Sequence, residues 1–381
     1  MPRSVCSAQS TAAQPDQTIS WWRTGFGDEE ILRITQAIRS EHISQGPVVS
    51  EFEERLAEFL GVPYVVATTS CSMSQLMAFM AIDLAPGDEV IIPNRTWISA
   101  AHAVVMLGGK VKLVDLEADR QIIDRTRIEE AITPRTRAIV PTHLNGQAAN
   151  MPEINRIAQK HGLRVIEDAA QALGSRNPDG LLGTQSDMGC FSLSIAKIIA
   201  TGQGGFIATR DRALYERLTS IRGHGVANVV QAQWTQLGFN FRFTDILASI
   251  GLVQLRHIGE RMEKLKAIYA RYREGVSQVP YLEFLPVNLE AGELPLYTQV
   301  LCKDREELIV RLESLGVQAR PFYPNLNRAG YLENVGSFPN SERFGEQGLI
   351  LPSGPTQSLE NIDRVLEILN SREMISRFAS R

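Results

Sequence analysis

The chain is poor in cysteine and histidine, and neither residue type is arranged to bind a metal. Its 381 residues include four cysteines and six histidines. The cysteines have no paired spacing, and the histidines form neither an HxxxH nor an HExxH pattern. This spacing predicts reduced thiols in a cytoplasmic enzyme and supports neither a disulfide framework nor a metal site. The cysteines are Cys6, Cys71, Cys190 and Cys302.

An excess of charge of one sign and a long apolar run are also missing. The formal net charge of −4 gives no electrostatic reason to expect nucleic acid or an anionic membrane as a partner. No apolar run reaches the ~18–20 residues that a membrane span requires. The longest uncharged candidate, Thr96–Gly109, contains Ser99 and His102 and is typical of a buried amphipathic helix. Because no basic segment followed by an apolar one opens the chain, no secretory signal is expected.

The composition is that of a soluble globular protein, with 44% hydrophobic and 22% charged residues, and the length suffices for two domains. We expect residues 1–27 to form a flexible arm, since the first part is rich in Ser, Ala, Gln and Thr and offers little to bury. Residues 28–255 are predicted to form a large domain. A smaller α+β domain is expected at residues 256–381, opening with a long amphipathic helix at Arg256–Arg273.

Within the large domain, short apolar runs alternate with stretches at helical spacing. This alternation predicts an α/β fold with a mainly parallel central sheet and helices on both faces. Ligands bind at the carboxyl ends of the strands in such sheets, so residues there are candidates for function. The predicted strands are Tyr64–Ala67, Glu89–Pro93, Lys110–Val114, Ala138–Thr142, Arg164–Glu167, Cys190–Leu193 and Phe206–Thr209, and the predicted helices lie near Ser74–Leu84, Ile98–Leu107, Arg127–Ile132 and Pro152–His161.

One lysine directly follows a predicted strand. In Phe191-Ser-Leu-Ser-Ile-Ala-Lys197, apolar residues precede Lys197, and a glycine-rich turn comes soon after it. Partial burial would lower the pKa of Lys197, and Schiff-base chemistry requires a neutral amine. The alternative is a surface lysine whose aliphatic stem covers apolar neighbours.

A carboxylate follows another predicted strand. Asp168, in Glu167-Asp-Ala-Ala-Gln171, could pair with the protonated pyridine nitrogen of pyridoxal phosphate and keep the ring an electron sink. The alternative for Asp168 is a helix N-cap.

Hydroxyl groups cluster in Thr68-Thr-Ser-Cys-Ser-Met-Ser74, between a predicted strand and a predicted helix. Hydroxyls and free backbone N–H groups at a helix start form an anion cradle. A plain capping turn would explain the same residues.

In their order and spacing, these segments resemble the DegT/DnrJ/EryC1/StrS family of sugar aminotransferases, a branch of the fold-type I pyridoxal-phosphate enzymes. The resemblance extends from Asp28 to Ile368, over nearly the whole chain. Its landmarks are Ser44-Gln-Gly-Pro47, Phe52-Glu53, Pro86-Gly-Asp-Glu-Val90, Thr142-His-Leu-Asn-Gly-Gln147, Glu167-Asp-Ala-Ala-Gln171, the Lys197 segment, Gly238-Phe-Asn-Phe-Arg242 and Leu351-Pro-Ser353.

The resemblance implies a role for each candidate residue. Lys197 would form the Schiff base with pyridoxal phosphate, and Asp168 would pair with the pyridine nitrogen. Gln171 would contact the phenolic oxygen of the ring, and Trp97, which is otherwise an ordinary core aromatic, would stack on the ring face. The remaining cofactor contacts within the subunit are expected from Ser72, Cys71 and Ser192. A further contact is expected from Asn240 of a neighbouring subunit, which implies a homodimer with shared active sites. Substrate contacts are expected from Arg242, Arg320 and Tyr323.

Two segments depart from the family pattern. Cys71-Ser72 stands where members usually have Gly-Thr, so the hydroxyl is kept but a thiol replaces a glycine whose backbone approaches the phosphate. This change affects the expected geometry of the cradle. Asn325-Leu-Asn327 stands where Pro-Leu-His is common, which indicates an unusual substrate pocket.

The implied reaction moves an amino group from glutamate to a nucleotide-linked keto sugar in aminosugar and polysaccharide biosynthesis. Similarity to the perosamine-synthase-like branch, in Ala200-Thr-Gly-Gln-Gly-Gly205, Phe338-Pro339 and Leu351-Pro-Ser-Gly354, favours C4 of a GDP- or dTDP-linked 4-keto-6-deoxy sugar. One rival is a sugar 3-dehydratase of the same fold, in which a histidine replaces the lysine, so Lys197 counts against it. The other rival is a non-catalytic regulatory protein. The complete set of cofactor residues argues against this alternative.

Overall fold

The structure is a computed structural model that describes residues 18–226, 234, 236–332 and 336–379. Helices and strands alternate along its first part, as the sequence predicts. The elements there are α1 (Asp28–Arg39), α2 (Pro47–Leu60), β1 (Tyr64–Thr68), α3 (Cys71–Ala81), β2 (Glu89–Pro93), α4 (Ser99–Met106), β3 (Lys110–Val114), α5 (Ile128–Ala131), β4 (Thr136–Ile139), α6 (Met151–His161), β5 (Arg164–Asp168), β6 (Arg176–Asn177), β7 (Gly180–Leu181), β8 (Met188–Ser192), β9 (Gly205–Thr209), α7 (Arg212–Arg222) and α8 (Asp245–Arg256).

Seven of these strands form one central sheet in the order β1-β9-β8-β5-β4-β2-β3. Strand β9 runs antiparallel to both of its neighbours, whereas the pairs from β8 to β3 are parallel. The predicted mainly parallel sheet is therefore confirmed. Its parallel strands direct their carboxyl ends to one edge, where β5 ends at Asp168 and β8 at Ser192.

Helices cover both faces of this sheet. In β9, Phe206 and Ala208 belong to the core cluster that contains Phe52 of α2, whereas Ile207 belongs to the cluster that contains Met77 of α3. Successive side chains of a strand point to opposite faces, so a strand buried on both sides contributes to two cores. The sheet edge is thereby fixed between two packed layers.

The second part of the chain forms a smaller domain around an antiparallel sheet of order β10-β11-β13-β12. Its own core cluster includes Ile268, Val300 and Val365. The smaller α+β domain is confirmed, while the boundary between residues 255 and 256 stays a prediction. The elements are α9 (Ile258–Val276), β10 (Glu283–Phe284), β11 (Thr298–Leu301), α10 (Arg305–Ser314), β12 (Arg320–Pro321), α11 (Pro339–Gln347), β13 (Gly348–Leu351), α12 (Leu359–Leu369) and α13 (Arg372–Phe378).

Some element boundaries differ from the predicted ones for local reasons. The strand predicted to extend to Thr142 ends at Ile139, because Pro141 has no N–H to donate to a ladder. The long helix predicted from Arg256 begins at Ile258, because His257 leaves the helical conformation and separates α8 from α9. No helix of the described residues is long and apolar enough to cross a membrane.

The end of the predicted flexible arm packs against the smaller domain. The backbone of Ile19 makes two hydrogen bonds. Its N–H donates to the Gly316 carbonyl (2.8 Å), and its carbonyl accepts from the N–H of Gln318 (3.0 Å). Ile19 and Trp22 are buried, and they supply the apolar surface that the composition of this part of the chain did not suggest. We call residues 18–25 the N-terminal segment. Residues 1–17, which include Cys6, lie outside the described residues.

Candidate active site

A cavity of about 730 Å³ opens at the carboxyl ends of β5 and β8, beside the start of the smaller domain's strand β12. Most of the residues predicted for the site line this one cavity. The predicted residues that do so are Cys71, Ser72, Trp97, Asp168, Gln171, Ser192, Lys197, Arg320 and Tyr323.

Lys197 lies in the turn that follows β8. Its backbone N–H donates to the Ser194 carbonyl (3.2 Å), and the N–H of Thr201 closes the turn on the Leu193 carbonyl (2.9 Å). Burial lowers the pKa of Lys197, and this effect is partly offset by the proximity of Cys71 and Asp168. A lysine in this position is more readily deprotonated than an exposed one, as a nucleophilic amine requires.

Asp168 is the last residue of β5, and its side chain is buried and accepts hydrogen bonds from neutral donors. The N–H of Ala170 donates to its Oδ1 (3.1 Å), and the Thr96 hydroxyl donates to its Oδ2 (3.3 Å). Burial raises the pKa of Asp168, against the opposing effects of the Ala170 N–H and of Lys197. The residues that directly follow Asp168 form turns and not a helix, so the helix N-cap alternative does not describe it.

Hydroxyl groups surround the N-terminus of α3 at one wall of the cavity. Ser70 is the N-cap, with its side chain accepting from the Met73 N–H (3.2 Å), and Ser72 lies in the first turn. Ser192 lines the same cavity from the end of β8. Free N–H groups of a first helical turn, together with hydroxyls, form a site for an anion such as a phosphate.

Cys71 occupies the first position of α3. Its side chain is 8% exposed, and burial raises the pKa of its thiol well above the ordinary value. The thiol is therefore neutral and places no negative charge beside the helix N-terminus. The backbone of Gly205 packs directly against the start of α3, where a Cβ would lie 2.3 Å from the backbone nitrogen of Cys71.

Aromatic side chains form the wall that faces the smaller domain. Trp97 is 57% exposed, and its ring meets the ring of Tyr323 edge-on at 5.7 Å between centroids. The hydroxyl of Tyr323 is buried beside Gln171, and burial raises the pKa of Tyr323 to about 12 against the opposing effects of Arg95 and Gln171. A buried phenol of this kind is a protonated donor available to a ligand.

Gln171 and Arg320 complete the predicted set in the cavity. The side-chain oxygen of Gln171 accepts from the Asn145 N–H (2.9 Å), which fixes its orientation. Arg320 is exposed, and its guanidinium lies 5.5 Å from the ring centroid of Trp21. A cation stacked on an indole is attracted to the ring face.

Asn240 and Arg242 are the two predicted residues that do not line the cavity. The Arg242 Nε donates to the Asn240 Oδ1 (3.0 Å), and Asn240 is exposed. The backbone of Asn240 pairs with Gly223, and that of Arg242 pairs with Thr68. Both residues lie in a loop on the surface of the protomer.

Several lining residues were missed by the sequence analysis. Thr96 directly precedes Trp97, and Thr142 opens the family landmark at residues 142–147. The hydroxyl of Thr142 donates to that of Thr96 (3.2 Å). Ser70, Ser194 and Gln203 also lie in segments that the sequence singled out, and Phe322 lies between Arg320 and Tyr323. Nothing local in the sequence distinguishes Trp21 and Tyr297, because they reach the cavity through contacts distant in the chain. The missed residues are Trp21, Ser70, Thr96, Thr142, Ser194, Gln203, Tyr297 and Phe322.

The polar groups of the cavity fit pyridoxal phosphate. Asp168 is a buried carboxylate without an ion pair in the described chain, and a protonated pyridine nitrogen would supply the missing positive charge. The hydroxyl-rich start of α3 suits a phosphate, and Lys197 offers an amine of lowered pKa to the aldehyde.

Comparison with known proteins agrees with this geometry. The family model described as the DegT/DnrJ/EryC1/StrS aminotransferase family matches residues 26–370. The chain is 33% identical over 335 residues to a GDP-perosamine synthase of Caulobacter vibrioides, a match that covers 86% of this chain and 90% of the relative.

Solved structures of related proteins are similar to this chain over most of its length. The S. venezuelae DesV structure, in complex with a ketimine intermediate, has a TM-score of 0.85 at 30% identity and covers 90% of this chain and 94% of its own. An E. coli GDP-4-keto-6-deoxy-D-mannose-3-dehydratase with bound hydrated PLP has a TM-score of 0.84 at 25% identity, covering 92% and 99%. The chain belongs to the DegT/DnrJ/EryC1/StrS aminotransferase family and is a sugar aminotransferase that depends on pyridoxal phosphate.

Proposed function

We propose that this enzyme transfers the amino group of glutamate to C4 of a nucleotide-linked 4-keto-6-deoxy sugar. The observation that carries the proposal is the placement of Lys197 and Asp168 in one cavity, with an anion site at α3 beside them. The similarity to a GDP-perosamine synthase supports the choice of sugar class and carbon.

Lys197 is the residue to which we assign the proton transfers. Bound pyridoxal phosphate supplies an electron sink that stabilises the charge left when a C–H bond beside nitrogen is broken. Because burial lowers the pKa of Lys197, its Nζ is able to take the proton from the α-carbon of glutamate. In the second half of the reaction, the same Nζ delivers a proton to the acceptor carbon.

Asp168 is assigned the role of holding the positive charge of the pyridine nitrogen. Two neutral donors, the Ala170 N–H and the Thr96 hydroxyl, orient its carboxylate. The exposed Arg320 and the buried hydroxyl of Tyr323, both in the lining of the same cavity, are suited to bind the acceptor, whose nucleotide is anionic.

We also propose a homodimer in which each active site is completed by the partner. Asn240 and Arg242 lie outside the cavity of their own protomer, so their predicted contacts need a second copy of the chain. Exposed apolar side chains, among them Phe26, Ile31 and Ile195, line a surface pocket that an isologous interface would cover.

A sugar dehydratase is the second candidate, because a 3-dehydratase shares the fold closely. The two activities differ in what happens at the sugar: one adds nitrogen, and the other removes water. The amine of Lys197 stands where the sequence resemblance expects a histidine in the dehydratases, and this favours transamination.

The proposed reaction predicts a labelled product. With nitrogen-15-labelled glutamate and a panel of GDP- and dTDP-linked keto sugars, mass spectrometry should find the label in the sugar, and NMR should place it at C4 of a 4-keto-6-deoxy acceptor. A dehydrated sugar without label would show the second activity. Label at C3 would contradict the proposed carbon.

Replacing Asp168 tests the charge at the ring nitrogen. Asp168→Asn should keep the shape and the bound cofactor but lose at least ~100-fold in turnover, because a neutral amide cannot hold the pyridine nitrogen protonated. Burial raises the pKa of Asp168, which means that the ionised carboxylate destabilises the folded protein when no cofactor is bound. Without cofactor, Asp168→Asn should therefore unfold at no lower temperature than the wild type.

The matched control is Asp363→Asn, which removes an exposed carboxylate paired with Arg271 and should turn over normally. Near-normal turnover of Asp168→Asn in the same steady-state assay would reduce Asp168 to a structural residue.

The shared site predicts complementation between two inactive proteins. Lys197→Ala and Asn240→Ala, each weak alone, should regain activity when mixed under conditions of subunit exchange. In the mixed dimer one site carries both defects and the other carries neither, so the activity of each mixed dimer should approach half that of a wild-type dimer.

The matched control mixes Lys197→Ala with Asp168→Asn, whose defects lie in the cavities of their own protomers. That mixture should recover nothing, since each site keeps one defect. If tagged subunits exchange and the first pair also recovers nothing, Asn240 serves its own protomer and the shared site is wrong.

A further inference from the structure

The carbonyl two residues before Lys197 is bound by side chains of the N-terminal segment. The Ile195 carbonyl accepts from the Trp22 Nε1 (3.0 Å) and from the Thr24 hydroxyl. The Trp22 Nε1 also donates to the Thr24 oxygen (2.9 Å), so the two side chains form one network. Trp22 is 8% exposed and Thr24 is 6% exposed, which keeps water from competing for these bonds.

The neighbouring carbonyls of the same turn are bound as well. The Tyr297 hydroxyl donates to the Ala196 carbonyl (2.8 Å). Arg261 Nη1 donates to the Ile198 carbonyl (3.3 Å) and to the carbonyl of Thr24 (3.0 Å), which ties the turn and the N-terminal segment to α9. The turn around Lys197 thus has its carbonyls oriented by side chains from three distant parts of the chain.

The N-terminal segment is itself anchored at both ends. Ile19 pairs with the backbone at Val317, and the Arg23 N–H donates to the Ser353 carbonyl (3.2 Å). The ring of Trp22 packs edge-on against that of Tyr297 at 5.3 Å between centroids. The donors of Trp22 and Thr24 therefore have fixed positions, as a support for another residue requires.

A turn of this kind needs such support. Residues 194–198 form no helix or sheet ladder of their own beyond a single bridge from Ser194 to Gly202, and a displacement of about 1 Å in a reacting group can cost ~100-fold in rate. We propose that Thr24 and Trp22 are positioning residues that fix the turn carrying Lys197, an inference that rests on the proposed role of Lys197 as the cofactor lysine.

The test compares the binding of two forms of the cofactor to the full-length protein after its bound cofactor has been removed. Pyridoxal phosphate bonds to Lys197, whereas pyridoxamine phosphate fills the same cavity and has no aldehyde for that bond. Thr24→Val removes the hydroxyl and keeps the shape. Its dissociation constant for pyridoxal phosphate should rise about five- to tenfold, the effect of one buried hydrogen bond, while that for pyridoxamine phosphate should stay unchanged.

Trp22→Phe is the second variant, because it removes the indole N–H and keeps an aromatic ring in the packing; it should show the same selective loss. The control is Thr184→Val, which removes a half-buried hydroxyl that donates to the Leu181 carbonyl (2.7 Å) outside the cavity lining. This control should bind both forms as the wild type does.

If Thr24→Val weakens the binding of pyridoxal phosphate and of pyridoxamine phosphate equally, the substitution has damaged the cavity in general. If it binds both as the wild type does, Thr24 does not position Lys197. Either result overturns the proposal. A failure of the proposed function looks different. If Lys197 does not bond to the cofactor, the wild type itself will show no imine at Lys197 after borohydride reduction and peptide mapping. The choice of sugar does not enter the measurement.

Discussion

The pairing of β5 with β8 is the constraint on which the candidate site depends. Asp168 stands opposite Cys190 in this parallel pair, so the end of β5 is fixed two residues before the end of β8. The short turn after β8 then returns Lys197 to the same sheet edge. Because both strands are buried between two packed layers, Asp168 and the start of the turn at Ser192 cannot shift without disturbing the packing of the large domain.

Burial acts on the ionisable groups of the cavity in one consistent direction. It lowers the pKa of Lys197 and raises the pKa values of Asp168 and Cys71, so it favours the neutral form of each. For the amine this is the reactive form, and for the thiol it avoids a negative charge beside the N-terminus of α3. For the carboxylate it is a cost that the ring nitrogen of the cofactor would offset under the proposed role of Asp168.

Most strands of the central sheet could be predicted from the sequence, whereas the lining of the cavity that includes Trp21, Tyr297 and Phe322 could not. The strands Glu89–Pro93 and Lys110–Val114 were predicted at their observed bounds, and the apolar run in the first of them marks a strand that is buried throughout. The reversed direction of β9 could not be predicted, since strand direction depends on long-range pairing. Pro141 and His257 shifted two boundaries through local backbone effects.

The N-terminal segment shows most clearly what a local pattern leaves out. Its composition indicated a flexible arm, yet Trp22 and Thr24 bond to a carbonyl more than 170 positions away in the chain. Most of the candidate residues were predicted from family motifs for the cofactor, and only Arg320 and Tyr323 among them line the cavity on the side of the smaller domain. Trp21, Tyr297 and Phe322 also lie on that side, where only the tertiary fold places them.

The central claim is that Lys197 is the lysine that bonds to the cofactor. Borohydride reduction of the purified enzyme followed by peptide mapping tests it most directly, since reduction makes the imine permanent. The account predicts that the modified peptide contains Lys197 and that Lys197→Ala retains noncovalent cofactor without any reducible bond. A modified peptide that excludes Lys197, or a Lys197→Ala protein with normal turnover, would contradict it.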